Sequence, residues 1–375
     1  MSDRIDPPRL LVRLEAEIAA ATSQLEADCK RAERAAYLAR VGRSSDARSE
    51  VANLQRRYET SPNVNVSSWI NLVLGLVEHF SDMHPNARDR ILRAHALSTA
   101  ANLTSLRALS AAWVAHMDYL STNASSMVIH AVESLRLSTF ENHSARSRAS
   151  LVVAQAYHVA GRLDIALEWY GRVRNHASLD GDEATLSALM HNMAWLRAQA
   201  LRTGGWMRSE SASDEGRALL GAESVSSFDA LIGATSLSAL LPILRAQIHA
   251  ARGQFEEALA LYETSMSDAV RDGMGRLHAD LLADRAWCRV NLGQLADARA
   301  DAVAAESLID PAGQFDDRAM AHGRLAQVLD ALGDLEGAAV HKGLALAAFE
   351  GHEALKIEIL RLLHASDETR FSPNS

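Results

Sequence analysis

Four glutamines recur at one place in a repeated pattern. Gln155, Gln199, Gln247 and Gln327 each follow an alanine, and each precedes a glycine by six residues. In a fifth segment Trp287 stands in the glutamine position before Gly293, and His116 holds the same offset upstream. A primary amide offers two donors and one acceptor with two lone pairs. A row of amides suits the alternating N–H and C=O groups of an extended peptide. It suits equally the polar groups of an adjacent helix, where it would brace a stack. Three residues further along lie Tyr119, His158, Arg202 and Asp330, which are mixed in charge and do not repeat.

Other chemistry is hard to find. There is no HExxH, GxSxG, P-loop or dinucleotide fingerprint. The fifteen histidines contain no i, i+4 pair, so no single helix face offers two imidazoles to one metal. The adjacent carboxylates Asp316-Asp317 and Glu256-Glu257 fall at expected helix starts, where they complement the helix dipole. The pattern is that of a binding protein, neither an enzyme nor a metalloprotein, with no cofactor.

The elements that must position these residues are helices. The chain has 67 alanines, 5% aromatic residues and seven prolines in 375 residues. Alanine is the best helix former, whereas strands favour β-branched and aromatic residues. A chain this long is either several domains or one quasi-linear array. The net charge of −9 leaves no general basic field for nucleic acid, although a local basic face is possible. Lysine is nearly absent: 38 Lys and Arg include only Lys30, Lys342 and Lys356. Cys29 and Cys288 are too few and too far apart for a disulfide framework or a zinc site. No apolar leader and no run of about 18 apolar residues is present, so a cytoplasmic protein is expected.

The glutamines belong to a repeat. Successive glycines Gly161, Gly205, Gly253, Gly293 and Gly333 are separated by 44, 48, 40 and 40 residues. Five residues after four of them comes Ala166, Ala258, Ala298 or Ala338, and Tyr170 and Tyr262 follow two of those alanines. The longest spacing reads as an insertion at Trp206 to Asp214, whose removal brings Ala218 into register. Its Trp-Met pair either anchors a partner or folds back on the array. Each glycine would end a first helix, and a second helix would pack antiparallel with alanines at the closest approach. Counting back by 39–41 residues places weaker turns at Thr122, Met83 and Gly42.

Ala154-Gln155-Ala156-Tyr157 through Gly161, Ala166 and Tyr170 resembles the tetratricopeptide repeat. The period of about 40 resembles the long-helix variants of bacterial regulatory proteins, such as the sensor domain of the maltose-regulator family. The resemblance implies an all-α, right-handed α-α superhelix, a TPR-like solenoid of about eight helical hairpins plus a C-terminal capping helix. Clear repeats span residues 146–350 and degenerate ones 61–145. Residues 9–60 hold a long first helix, Arg9 to Val41, and its hairpin. Leu11, Leu14, Ile18, Ala21 and Leu25 on that helix have the spacing of a homodimer seam or of an ordinary packing face. The cap covers 351–365, and 1–8 and 366–375 are expected to be disordered.

The resemblance also implies that Gln155, Gln199, Gln247, Trp287, Gln327 and His116 line a concave groove, with Tyr119, His158 and Arg202 one turn along. The partner would be a protein or peptide; no Lys/Asn carboxylate clamp for chaperone tails is visible. The alternative is a regulatory domain that senses a small molecule by changing curvature.

Overall fold

The computed structural model describes residues 7–207, 215–235 and 238–370. Among these the chain is helical, with no strand. It divides into two compact units. Unit 1 comprises Met1–Met190, Ser227–Ser236 and Ile357–Ser375; unit 2 comprises His191–Ser226 and Leu237–Lys356.

Unit 1 is built mainly from α1 (Arg9–Ala20), α2 (Gln24–Arg40), α3 (Ser44–Arg57), α4 (Val64–Asp82), α5 (Ala87–Ala100), α6 (Thr104–Leu120), α7 (Ala124–Leu137), α8 (His143–Val159) and α9 (Leu163–Asp180). Three helices cross the division between the units: α10 (Glu183–Met207), α11 (Glu215–Ile232) and the last helix of the chain. Unit 2 continues with α12 (Leu240–Ala251), α13 (Phe255–Arg271), α14 (His278–Asn291), α15 (Leu295–Leu308), α16 (Phe315–Ala331) and the first part of α17 (Leu335–Arg370). Helices pack in neighbouring pairs: α2 with α3, α4 with α5, α6 with α7, α8 with α9, α12 with α13, and α14 with α15.

The turns follow the expected register. Gly161, Gly253, Gly293 and Gly333 follow first helices with φ of 78°, 74°, 76° and 81°, a left-handed conformation that glycine adopts without a Cβ clash. The weaker turns behave likewise, with Gly42 at 88°, Met83 at 51° and Thr122 at 54°. Gly205 departs from the pattern, because α10 runs through it to Met207. A glycine inside a helix costs about 1 kcal/mol but does not by itself end one. Of the expected insertion, residues 208–214 lie outside the described residues.

The close-approach alanines are buried: Ala154, Ala246, Ala286, Ala166, Ala258 and Ala298 are each 0% exposed. Ala326 is only half-buried, because α16 turns Leu325 and Val328 inward instead. In unit 2 the core gathers Ile243, Tyr262, Met266, Leu281, Leu325 and Val328.

Both chain ends differ from expectation. The first helix is two helices, broken at Ala21 to Ser23. The Ser23 side chain accepts from the Glu26 N–H, and the Glu26 carboxylate accepts from the Thr22 N–H. This reciprocal capping starts α2 afresh. A continuous seam from Leu11 to Leu25 is therefore not formed, and Leu14, 0% exposed, packs inside the chain with Leu10, Tyr37 and Val41. At the other end no separate cap exists. Leu335 to Arg370 is one helix, which includes expected-tail residues 366–370, while 371–375 lie outside the described residues.

The N-terminal helices of unit 1 meet the α9–α10 junction. Leu10 N donates to Gly181 O at 3.1 Å, Arg13 to Asp180 at 2.7 Å, and Arg40 to Asp182 at 2.7 Å. Gly181 has φ 70°, and a Cβ there would meet the Arg9 Cβ at 2.9 Å. The chain segments around residues 9–40 and 180–185 are thus held together directly.

Candidate functional site

In unit 2 the repeated polar positions converge on a buried ionic network. Arg202 on α10 lies 2.6 Å from Asp280 and 2.8 Å from Asp284, both on α14 and one turn apart. Arg324 on α16 donates to the other oxygen of Asp284 at 2.7 Å, and the Tyr262 hydroxyl donates to Asp284 at 3.0 Å. The two arginines and two aspartates cancel in charge. Burial alone would lower the Arg202 pKa, but Asp280 and Asp284 raise it above its ordinary value. Burial works against ionised Asp284 too, and Arg202 and Arg324 overcome it, holding the group below the usual carboxylate range.

The expected groove residues of this unit serve that network. Gln199 accepts from Arg202 at 3.0 Å, Gln327 accepts from Arg324 at 2.7 Å, and the Arg324 guanidinium lies over the Trp287 ring at 5.6 Å. Gln247 is 0% exposed, and neither end of its amide hydrogen-bonds within the protein.

Unit 1 carries a second cluster, with a different balance. Trp113 and His116 sit one turn apart on α6, His79 lies on α4, and Arg148 lies on α8. The Arg148 guanidinium stacks on the Trp113 ring at 3.9 Å. His116 meets Trp113 and His79 edge to face at 5.6 and 5.4 Å. All are shut from solvent: Arg148 is 2% exposed, Trp113 3%, His79 5% and His116 7%. Arg148 Nε and Nη2, His116 Nδ1 and Gln155 Oε1 find no hydrogen-bond partner. Among the described residues no carboxylate lies within 4.0 Å of Arg148.

The electrostatics reflect an isolated cation. Burial, and then the charge of Arg40, push the Arg148 pKa down to about 9, with Asp182 offsetting only part. At neutral pH the guanidinium remains charged. Burial, with a smaller contribution from Arg148, holds His79 down to about 4 and His116 well below its ordinary value. Both imidazoles are neutral at pH 7.

The structure therefore gives no open ladder of amides. Gln155, 4% exposed, and Gln247 are buried, out of reach of a strand laid over the surface, and Gln199 and Gln327 are engaged by arginines. His158 is half-buried with Nδ1 3.1 Å from the Tyr170 hydroxyl, and Tyr119 is half-buried. Sequence reasoning named His116, Gln155 and Arg202 but missed Arg148, Trp113 and His79. Arg148 stands seven residues before Gln155, two helical turns along the same face, and that was the available signal. The carboxylate pairs at 256–257 and 316–317 occupy the first turns of α13 and α16, as expected. Cys29 is half-buried and Cys288 buried; burial pushes their thiols up to about 11 and about 12.

No protein-family model matches the chain, and no curated protein matches it significantly. No described helix is long and apolar enough to cross a membrane. A surface hollow of about 490 Å³ includes Arg31, Glu50 and Arg57 in its lining, but both arginines are tied to Asp28.

Proposed function

We propose that the chain is a non-enzymatic regulatory module that binds a small monoanionic molecule, a carboxylate, in unit 1. The observation that carries this reading is Arg148: a buried, aromatic-stacked guanidinium with two N–H groups that have no hydrogen-bond partner and no carboxylate in contact among the described residues. An unpaired charge in a protein interior costs several kcal/mol. A carboxylate bound edge-on to Nε and Nη2 would neutralise it through two parallel, charge-assisted hydrogen bonds. One positive charge with two neutral imidazoles matches one negative charge better than a dianionic phosphate. His116 Nδ1 would add a third polar contact, and Gln155 Oε1 would accept from an amino or hydroxyl group of the ligand. An extended peptide is the weaker reading, because two of its intended rungs are buried.

The test is a thermal-shift screen of the full chain against carboxylates, their neutral amides and phosphate. The expected result is a set of carboxylates that raise the Tm while their amides do not, with the response absent in Arg148→Met. A ligand in excess at about 100 times its Kd stabilises by about 2.7 kcal/mol, well above the resolution of such a screen. Equal responses from Arg148→Met and the parent chain, or no responding carboxylate, would overturn the reading.

A further inference from the structure

A separate set of groups lies on the second helices of unit 1. His95 on α5 faces His130 and Glu133 on α7, which stand one turn apart on a single face. One donor atom from each residue lies within 4.8 Å of the others. His95 Nε2 is 3.1 Å from Glu133 Oε2, and the two imidazoles meet edge to face at 5.4 Å. Their side chains are 16%, 17% and 19% exposed, sheltered yet open to solvent.

The surroundings orient these donors. His130 Nδ1 lies 2.9 Å from the Ser126 carbonyl oxygen and 3.4 Å from Asp118. A carbonyl only accepts, so the proton sits on Nδ1 and the lone pair on Nε2. A backbone carbonyl on the far ring nitrogen is how proteins fix the tautomer of a ligating histidine. Arg107 grips the opposite oxygen of Glu133, with Nε at 2.7 Å, which leaves Oε2 to the imidazoles.

We propose that His95, His130 and Glu133 form a binding site for a divalent transition-metal ion of the zinc class. Two imidazole nitrogens and one carboxylate oxygen are borderline donors that suit zinc, cobalt or nickel. Calcium and magnesium need more oxygens than the site offers. Zinc–nitrogen bonds of about 2.0–2.1 Å place tetrahedral donors about 3.3 Å apart, close to the His95–Glu133 separation. Three protein ligands leave a fourth position for water or for a group from a partner. The site joins α5 to α7, so an occupied site would clip two neighbouring helical pairs together. It is independent of Arg148 and shares no residue with that cluster.

The full chain, stripped of metal by a chelator, would be titrated with cobalt(II) and followed by visible absorption. Zinc affinity would then be read by competition with a chromophoric chelator. The site predicts one tight ion per chain, at least tenfold weaker in His95→Gln and in His130→Gln, with the metal-free Tm of both variants close to that of the parent. As a check that needs no variant, zinc added to chain labelled with ¹⁵N-histidine should shift the ring signals of two of the fifteen histidines. Unchanged affinity in folded variants, no cobalt spectrum, or no shifted ring signal would each overturn the proposal.

Discussion

Arg202 in unit 2 and Arg148 in unit 1 are both shut away from solvent, yet their surroundings are opposite. Arg202 meets two aspartates, and its network with Arg324 and Tyr262 is balanced in charge, although Arg202 Nε itself has no hydrogen-bond partner. Arg148 meets an indole face, two neutral imidazoles and another cation at longer range. A buried ion pair holds helices in register, but a buried lone ion is a liability unless something from outside the chain neutralises it. The difference is one of charge: Arg202 has its counter-charges in contact within unit 2, whereas Arg148 touches no carboxylate among the described residues.

The sharpest way to break this comparison is to remove each cation. Arg202→Met strands Asp280 in the interior, leaves Asp284 to Arg324 alone, and should destabilise the chain by about 3–5 kcal/mol. Thermal or urea unfolding would register that as the largest effect of the set. Arg148→Met should go the other way, stabilising by about 1–3 kcal/mol, because a flexible apolar side chain replaces an uncompensated charge against Trp113. Equal destabilisation by the two substitutions would show that Arg148 has a partner in solution and would erase the contrast.

Acid sharpens it further. His79 is held at about 4, below the ordinary histidine value of about 6.5. The unfolded chain therefore binds a proton before the folded one, so stability present above pH 6.5 is lost as pH falls towards 4. His116 acts in the same direction. Arg148 contributes to both depressions. Arg148→Met should therefore lose less stability between pH 6.5 and 4 than the parent chain, measured as the change in Tm. An identical acid slope would dissociate the imidazoles from the guanidinium.

The smallest effect belongs to Gln247. Its amide has no protein partner at either end, so Gln247→Met should change stability by less than about 1 kcal/mol. Gln327→Met, which removes an acceptor from Arg324, should cost more, about 1–3 kcal/mol. Reversal of that order in chemical denaturation would mean that Gln247 is the more firmly engaged of the two.

The helical register was legible because caps are local. Gly161, Gly253, Gly293 and Gly333 declare their conformation by residue type, and counting recovered Met83 and Thr122 without any glycine to mark them. The break before α2 was legible too: Ser23 followed by Glu26 is a capping pair, overlooked because apolar spacing ran across it. What the glutamines do was not legible. Gln199 is defined by Arg202, and Arg202 by Asp280, 78 residues away. Arg148 was harder still, since its significance is a missing partner, and nothing in a linear chain marks which arginine lacks one. The same holds for His95 and His130, which no scan of a single helix would unite.

Met83 and Thr122 turn the chain without a glycine. Each holds a left-handed backbone, at φ 51° and 54°, where its side chain is disfavoured by roughly 1–2 kcal/mol relative to the ordinary helical hand. A turn that persists without its usual residue is dictated by what lies on both sides of it. The lettering of such a motif can decay while the geometry survives, so diverged copies become unreadable long before they stop folding alike. For this chain, likeness to other all-helical proteins is then better sought in the spacing of backbone reversals than in shared side chains.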